Sequence, residues 1–202
     1  NCSLWEKLMP DNKIITDREE MLEAVKKDGW ALQYASDSIK DDREVVLEAL
    51  KESFGNALEY ASDTLKADRE VVLEAIKNES RTLQYADESL WADREFMLEA
   101  VKSSGFTLQY ASETLKADRE FVLEAVKRSG NALLYADDSF KADREIVLEA
   151  AKNDGFTLLY ADDSLKADRE LVLEAVKKNP WVLEFASEEL QNDPELKKLA
   201  DG

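Results

Sequence analysis

Histidine is missing from this sequence of 202 residues, and cysteine occurs once, as Cys2. Histidine is the usual general base near neutral pH, so its absence removes the commonest acid–base catalyst and a common metal ligand. A single cysteine permits no internal disulfide and leaves the redox compartment unread. Proline occurs three times and glycine six times. The glycines fall at a repeat spacing and build no phosphate-cradling loop. No run approaches the roughly 20 apolar residues that a membrane-spanning helix needs. Residues 1–16 lack the basic start and apolar stretch of a signal peptide. The chain begins with Asn rather than Met, as expected of a processed or trimmed product. A soluble setting is expected: an organelle if a targeting peptide has been removed, the cytoplasm otherwise.

What the sequence has in quantity is charge. Acidic residues number 45 against 27 basic ones, a net charge of −18, while 44% of residues are hydrophobic. That is too apolar for a disordered chain. A surface this acidic repels nucleic-acid phosphates and anionic head groups and attracts basic protein surfaces, besides promoting solubility. Nucleic acid is not expected as a partner.

Self-similarity dominates the chain. Asp recurs at 17, 42, 68, 93, 118, 143, 168 and 193, spaced by 25 residues except for one interval of 26. Seven of these residues open the triplet Asp-Arg-Glu; the eighth opens Asp193-Pro194-Glu195. We number positions within a repeat from this Asp. A short carboxylate at position 1 is a helix N-cap, and Glu at position 3 suits the positive end of the helix dipole. Apolar residues at positions 5, 6, 8 and 9, such as Val122, Leu123, Ala125 and Val126, predict an amphipathic helix. Gly at position 13 in five repeats predicts a left-handed turn. A second, shorter helix carries Leu at 16, an aromatic at 18 and Ala at 19; an apolar anchor follows at 23. The predicted fold is an all-α solenoid of about seven 25-residue helical-hairpin repeats. An N-terminal cap segment is expected over 1–16, built on Leu4, Trp5, Leu8, Met9 and Ile14, and tandem repeats over 17–192 (17–41, 42–67, 68–92, 93–117, 118–142, 143–167 and 168–192). A C-terminal capping helix is expected over 193–202, with Lys197 and Lys198 in place of apolar positions 5 and 6. The extra residue, Phe54, is expected to bulge a loop.

The pattern D-R-E-x-V-L-E-A-V-K-x-x-G-x-A-L-x-Y-A-S-x-x-L-K-x resembles the repeat of the domain-of-unknown-function family 4116. The likeness spans about residues 17–200 and recurs seven times. Ser80 and Pro180 replace its Gly, and Phe185 its Tyr. The resemblance implies a helical repeat array and, by analogy with other solenoids, an interaction role.

An enzyme is not expected, and no cofactor or catalytic residue is assigned. The leading expectation is a non-catalytic protein–protein interaction scaffold, an accessory or structural subunit of a larger assembly whose partner has a basic surface. The alternatives are a divalent-cation-binding acidic protein, suggested by carboxylates at positions 20–22, 1 and 3, and an effector or regulator binding host proteins. A small-molecule ligand is not expected, and no specific metal ligand is assigned. Tyr at position 18 is expected to bond Glu at position 7 of the next repeat, because Phe185 and Leu199 replace both together. Faithful positions build the scaffold, and variable ones are free to contact a partner. Position 14 varies most, and with position 24 it supplies the candidate contacts Trp30, Arg81, Trp91, Phe106, Phe156 and Trp181. Trp91, which replaces a lysine expected to face solvent, leads them: on this reading Trp91→Lys leaves the melting temperature unchanged and weakens partner binding, measured by thermal denaturation beside affinity capture.

Overall fold

Every Asp at position 1 starts a helix. In the computed structural model, which describes residues 14–202, the long helices of repeats 4 to 7 are Arg94–Ser103, Arg119–Arg128, Arg144–Asn153 and Arg169–Lys178. Each preceding Asp accepts hydrogen bonds from first-turn amides, as Asp118 does from Phe121 N at 2.9 Å. These groups have no partner within the helix itself.

The buried stripe differs from expectation by one position. In repeat 5, Phe121, Val122, Ala125 and Val126 (positions 4, 5, 8 and 9) are fully buried, whereas Leu123 at position 6 is half-buried. At about 100° per residue, positions 4, 5, 8 and 9 span roughly 140° of the helix surface, and position 6 lies some 60° beyond them. Repeat 1 alone has a charged residue at position 4, Glu20, and it is exposed.

The second segment is a 3-10 helix, as in Gly105–Tyr110, Gly130–Tyr135 and Gly155–Tyr160. Its pattern has period three: positions 15 and 16 are buried, apart from the half-buried Leu183, while positions 14 and 17 are exposed or half-buried. A polar residue at position 12 opens it. Asp154 accepts from Phe156 N at 2.9 Å, and Asn179 from Trp181 N at 3.1 Å. Where position 15 is Thr, its fully buried hydroxyl donates to the position-12 carbonyl, as Thr107 does to Ser104 O at 2.7 Å.

The residue at position 20 selects the form of the last turn. Ser62, Ser112 and Ser187 accept from the amide three residues on, and four-residue α-helical turns follow. Asp137 accepts instead from Ser139 N, two residues on, and the turn is 3-10. Asp162 makes the same bond to Ser164 N at 2.9 Å and is followed by the 3-10 turn Leu165–Ala167.

The described chain divides into two compact units between Trp91 and Ala92, each with its own buried core. In the first, the long helices Arg18–Val25, Arg43–Glu52 and Arg69–Ile76 pack in sequence; in the second, those of repeats 4 to 7 pack in sequence and end on Pro194–Ala200. In that last helix Leu196 is buried and Lys197 and Lys198 are exposed. A backbone bond also ties neighbours. The position-20 amide donates to the position-24 carbonyl of the preceding repeat, as Asp162 N does to Lys141 O at 2.8 Å and Ser187 N to Lys166 O at 2.9 Å. Ahead of repeat 1, Ile15 O accepts Ser36 N in the same way; Ile15 is buried and Ile14, the residue expected to cap, is exposed. The other expected cap residues, Leu4, Trp5, Leu8 and Met9, lie outside the described residues.

The left-handed turn expected at position 13 forms only in repeat 2. There Phe54 (φ 52°) and Gly55 (φ 86°) absorb the extra residue, and Phe54 is exposed. The other repeat glycines, for which no positive φ is found, answer to close approach. A Cβ at Gly130 would stand 2.6 Å from Ala150 O, and one at Gly155 2.4 Å from Ala175 O. In each case the carbonyl is that of position 8 in the next repeat. Gly155→Ala therefore forces two repeats apart and is expected to cost about 1–3 kcal/mol, as overpacking does, read as a lower urea midpoint; an unchanged or higher midpoint contradicts the close fit.

Candidate interaction surface

Position 14 is the second residue of the 3-10 segment, turned away from the buried residues at 15 and 16. In the second unit these segments stack in chain order, so their position-14 side chains form a row. Phe106 is 45% exposed, Phe156 47% and Trp181 80%, with the half-buried Asn131 between the first two. Leu159, at position 17 of repeat 6, is 44% exposed and joins the row. In the first unit the same position carries Trp30, at the border of exposure, half-buried Asn56 and exposed Arg81. Five of the six candidate contacts therefore reach solvent on equivalent positions of two separate units.

Trp91 is different. It is half-buried, and position 24 is half-buried in all seven repeats, so its lysines are not solvent-facing as expected. The side chain folds back along its own repeat: Gln191 Nε2 donates to Glu184 O at 2.9 Å and Ala186 O at 2.7 Å. Trp91 is half-buried with its indole nitrogen covered, so Trp91→Lys is expected to lower the melting temperature.

The aromatics of positions 14 and 18 meet across neighbouring repeats. Trp30 lies edge-on to Tyr60 with ring centroids 6.2 Å apart, and Phe106 to Tyr135 at 5.8 Å. Such pairs add to area burial and hold the exposed ring in one orientation. The expected hydroxyl link is not general. Glu48 and Glu174 bond Lys51 at 2.9 Å and Lys177 at 2.7 Å within their own helices, rather than Tyr34 and Tyr160. A cation one helical turn away on the same face is the nearer partner.

The Asp-Arg-Glu triplet has a use the sequence did not disclose. The Arg of one repeat reaches the Asp and Glu of the next. Arg119 Nε lies 2.8 Å from Asp143 and its Nη2 2.6 Å from Glu145. Arg144 reaches Asp168 and Glu170, both at 2.6 Å, and Arg169 reaches Asp193 at 3.1 Å and Glu195. In the first unit Arg18 makes the same pair with Asp42 and Glu44, and Arg43 with Asp68 and Glu70. Arg94 departs from the pattern, bonding Glu124 at 3.2 Å and lying over the Phe121 ring. A regular spacing of 24 to 26 residues between partners could have suggested the ladder.

These partners occupy the carboxylates that resembled a cation site. Among the described residues no group of three or more such side chains converges on a metal position. Asp137 and Asp162 at position 20 are held below the usual carboxylate range by the hydroxyl and amide of the Ser two residues on. At position 1, the Arg144 guanidinium, against some desolvation, holds Asp168 below its ordinary 3.8, and Leu171 N and Glu170 N assist. A carboxyl depressed in the folded state contributes stability above its unfolded pKa and loses it as pH falls toward the folded value. Asn also caps helices, so Asp168→Asn keeps the cap and removes the charge. The variant is expected to be less stable than wild type at pH 7, with the gap closing as pH falls below about 3.8. Urea midpoints at several pH values test this; a gap independent of pH contradicts it.

No helix among the described residues is long and apolar enough to cross a membrane. No curated protein and no solved structure matches the chain. The family model described as Domain of unknown function (DUF4116) matches residues 17–66, 52–91, 93–141, 118–166, 143–191 and 168–200. These overlapping matches run through the repeats, each beginning or ending near a position-1 Asp or in the segment before it. The chain is a tandem array belonging to the DUF4116 family.

Proposed function

We propose that this chain is a non-catalytic protein–protein interaction scaffold, an accessory or structural subunit of a larger assembly. The observation that carries the reading is the row Phe106, Phe156, Leu159 and Trp181, four large apolar side chains between 44% and 80% exposed. Clustered exposed aromatics of this kind mark interaction surfaces, where Trp and Phe are enriched. The scaffold does not need them: equivalent positions hold Asn56, Arg81 and Asn131 in repeats that keep the capping Asp and the buried stripe of the long helix. The acidic surface adds a preference for partners with basic patches and speeds encounter with them.

Affinity capture from native extract with the full chain, beside a Phe106→Ser, Phe156→Ser, Trp181→Ser variant, tests the reading. A defined protein complex is expected with wild type, reduced at least tenfold with the variant, while both chains melt alike. Capture of no protein, or of the same set by both chains, contradicts it.

A further inference from the structure

Along each repeat of the second unit, the row of exposed apolar side chains is preceded by an exposed lysine at position 10 (Lys102, Lys127, Lys152 and Lys177) and followed by an acidic turn. Each 3-10 segment leads, through one alanine, into the turn at positions 20–22. In repeats 4 to 7 these turns hold seven carboxylates, and position 24 supplies three lysines against them. The acids point outward: the side chains of Glu113 and Asp138 are 90% exposed and that of Asp163 97%. Their lysines, Lys116, Lys141 and Lys166, are only 18–29% exposed and lie against the repeat. What a ligand meets along this edge is negative.

The row ends at a cleft of about 520 Å³ formed by Pro180, Trp181, Leu183, Gln191 and Ala200. Glu184 and Asp201 stand on its rim with Lys197, whose ammonium is bonded to Asn192 Oδ1 at 3.0 Å. Trp181 in this cleft is the most exposed large apolar side chain among the described residues. An apolar anchor beside carboxylates suits a ligand that combines an aliphatic or aromatic group with nearby cations.

We infer that this face of repeats 4 to 7 docks an extended, lysine- or arginine-bearing segment of another protein, with apolar residues seated on Phe106, Phe156 and Trp181. The inference rests on the scaffold reading and names the partner's chemistry. Charge complementarity selects the occupant. A second copy would bring the same acidic edge against this one, and nucleic acid or anionic lipid would be repelled. Extension follows from the spacing. Packed helices repeat at about 8–10 Å, and a polyproline-II chain advances about 3.1 Å per residue with three residues per turn, so one repeat corresponds to roughly three ligand residues and every third one faces the row. Phe106 and Phe156 are two repeats apart, and Trp181 is one further. The matching ligand pattern is apolar at residues one, seven and ten, with Asn131 facing a polar residue at four.

The probe is a labelled twelve-residue peptide of lysine and serine with leucine at residues one, seven and ten, titrated into the full chain and followed by fluorescence anisotropy. It is expected to bind at least tenfold more tightly than a scrambled peptide of the same composition, and more weakly as salt rises. Replacing its lysines by glutamate should abolish binding. Phe156→Ala and Trp181→Ala should each weaken it about tenfold or more without moving the melting temperature, whereas Trp30→Ala, in the other unit, should leave it unchanged. Equal binding of patterned and scrambled peptides overturns the inference, as does unaltered binding by both variants. So does self-association of the chain, seen by sedimentation, that Trp181→Ala abolishes. If the patterned peptide fails while the full chain still captures a protein partner, the inference falls and the scaffold reading stands. If nothing is captured by any surface, both fall.

Discussion

At Asp42, Asp68, Asp143, Asp168 and Asp193 the position-1 carboxylate joins two levels of the structure. Asp143 accepts Glu145 N and Ile146 N at 3.1 and 3.2 Å and so begins the long helix of its repeat. Its other oxygen receives Arg119 from the preceding repeat. Starting a helix and attaching it to a neighbour therefore depend on one group. A helix of ten residues is marginal in water by itself, and a solenoid repeat has no core without the next one. Exposed ion pairs contribute little energy each, so apolar burial supplies the cohesion. What the pairs add is register. An Arg that must reach Asp and Glu of the next repeat permits one relative placement of the two helices.

Close backbone approach enforces that placement from the other side. At Gly29, Gly55, Gly130 and Gly155, position 13 of one repeat abuts the position-8 backbone carbonyl of the next, as at Gly155 and Ala175. With both ends of the helix so constrained, little freedom remains at the faithful positions. Position 14 lies just beyond the contact, on the exposed side of the 3-10 segment, and accepts Trp, Asn, Arg or Phe without disturbing it.

Much of this was legible in the sequence. The period, the N-capping Asp and the core residues at positions 5, 8 and 9 follow from spacing alone. Two readings failed for physical reasons. A glycine that avoids a clash and a glycine that turns left-handed look alike as letters; of the position-13 glycines only Gly55, next to the inserted Phe54, is left-handed. Position 6 carries Leu in all seven repeats, yet it sits on the flank of the helix and is buried only at Leu98, whereas the more variable position 4 is buried in every repeat after the first. The ladder escaped notice because Arg at position 2 has no use within its own repeat. Of the candidate surface, position 14 was legible from its variability. Trp91 was not, because the half-burial of position 24 is a tertiary fact.

The division of the repeat into positions that build and positions that contact is the center of this account. It is tested most directly by one substitution made at two places, Phe121→Asn at position 4 and Phe106→Asn at position 14, with unfolding free energy measured by urea denaturation. The first replaces a fully buried ring and is expected to cost about 3–5 kcal/mol or more. The second installs the residue that repeat 5 carries naturally at the same position, and a change below about 1 kcal/mol is expected. Comparable losses at the two sites would show that position 14 belongs to the core and would contradict the account.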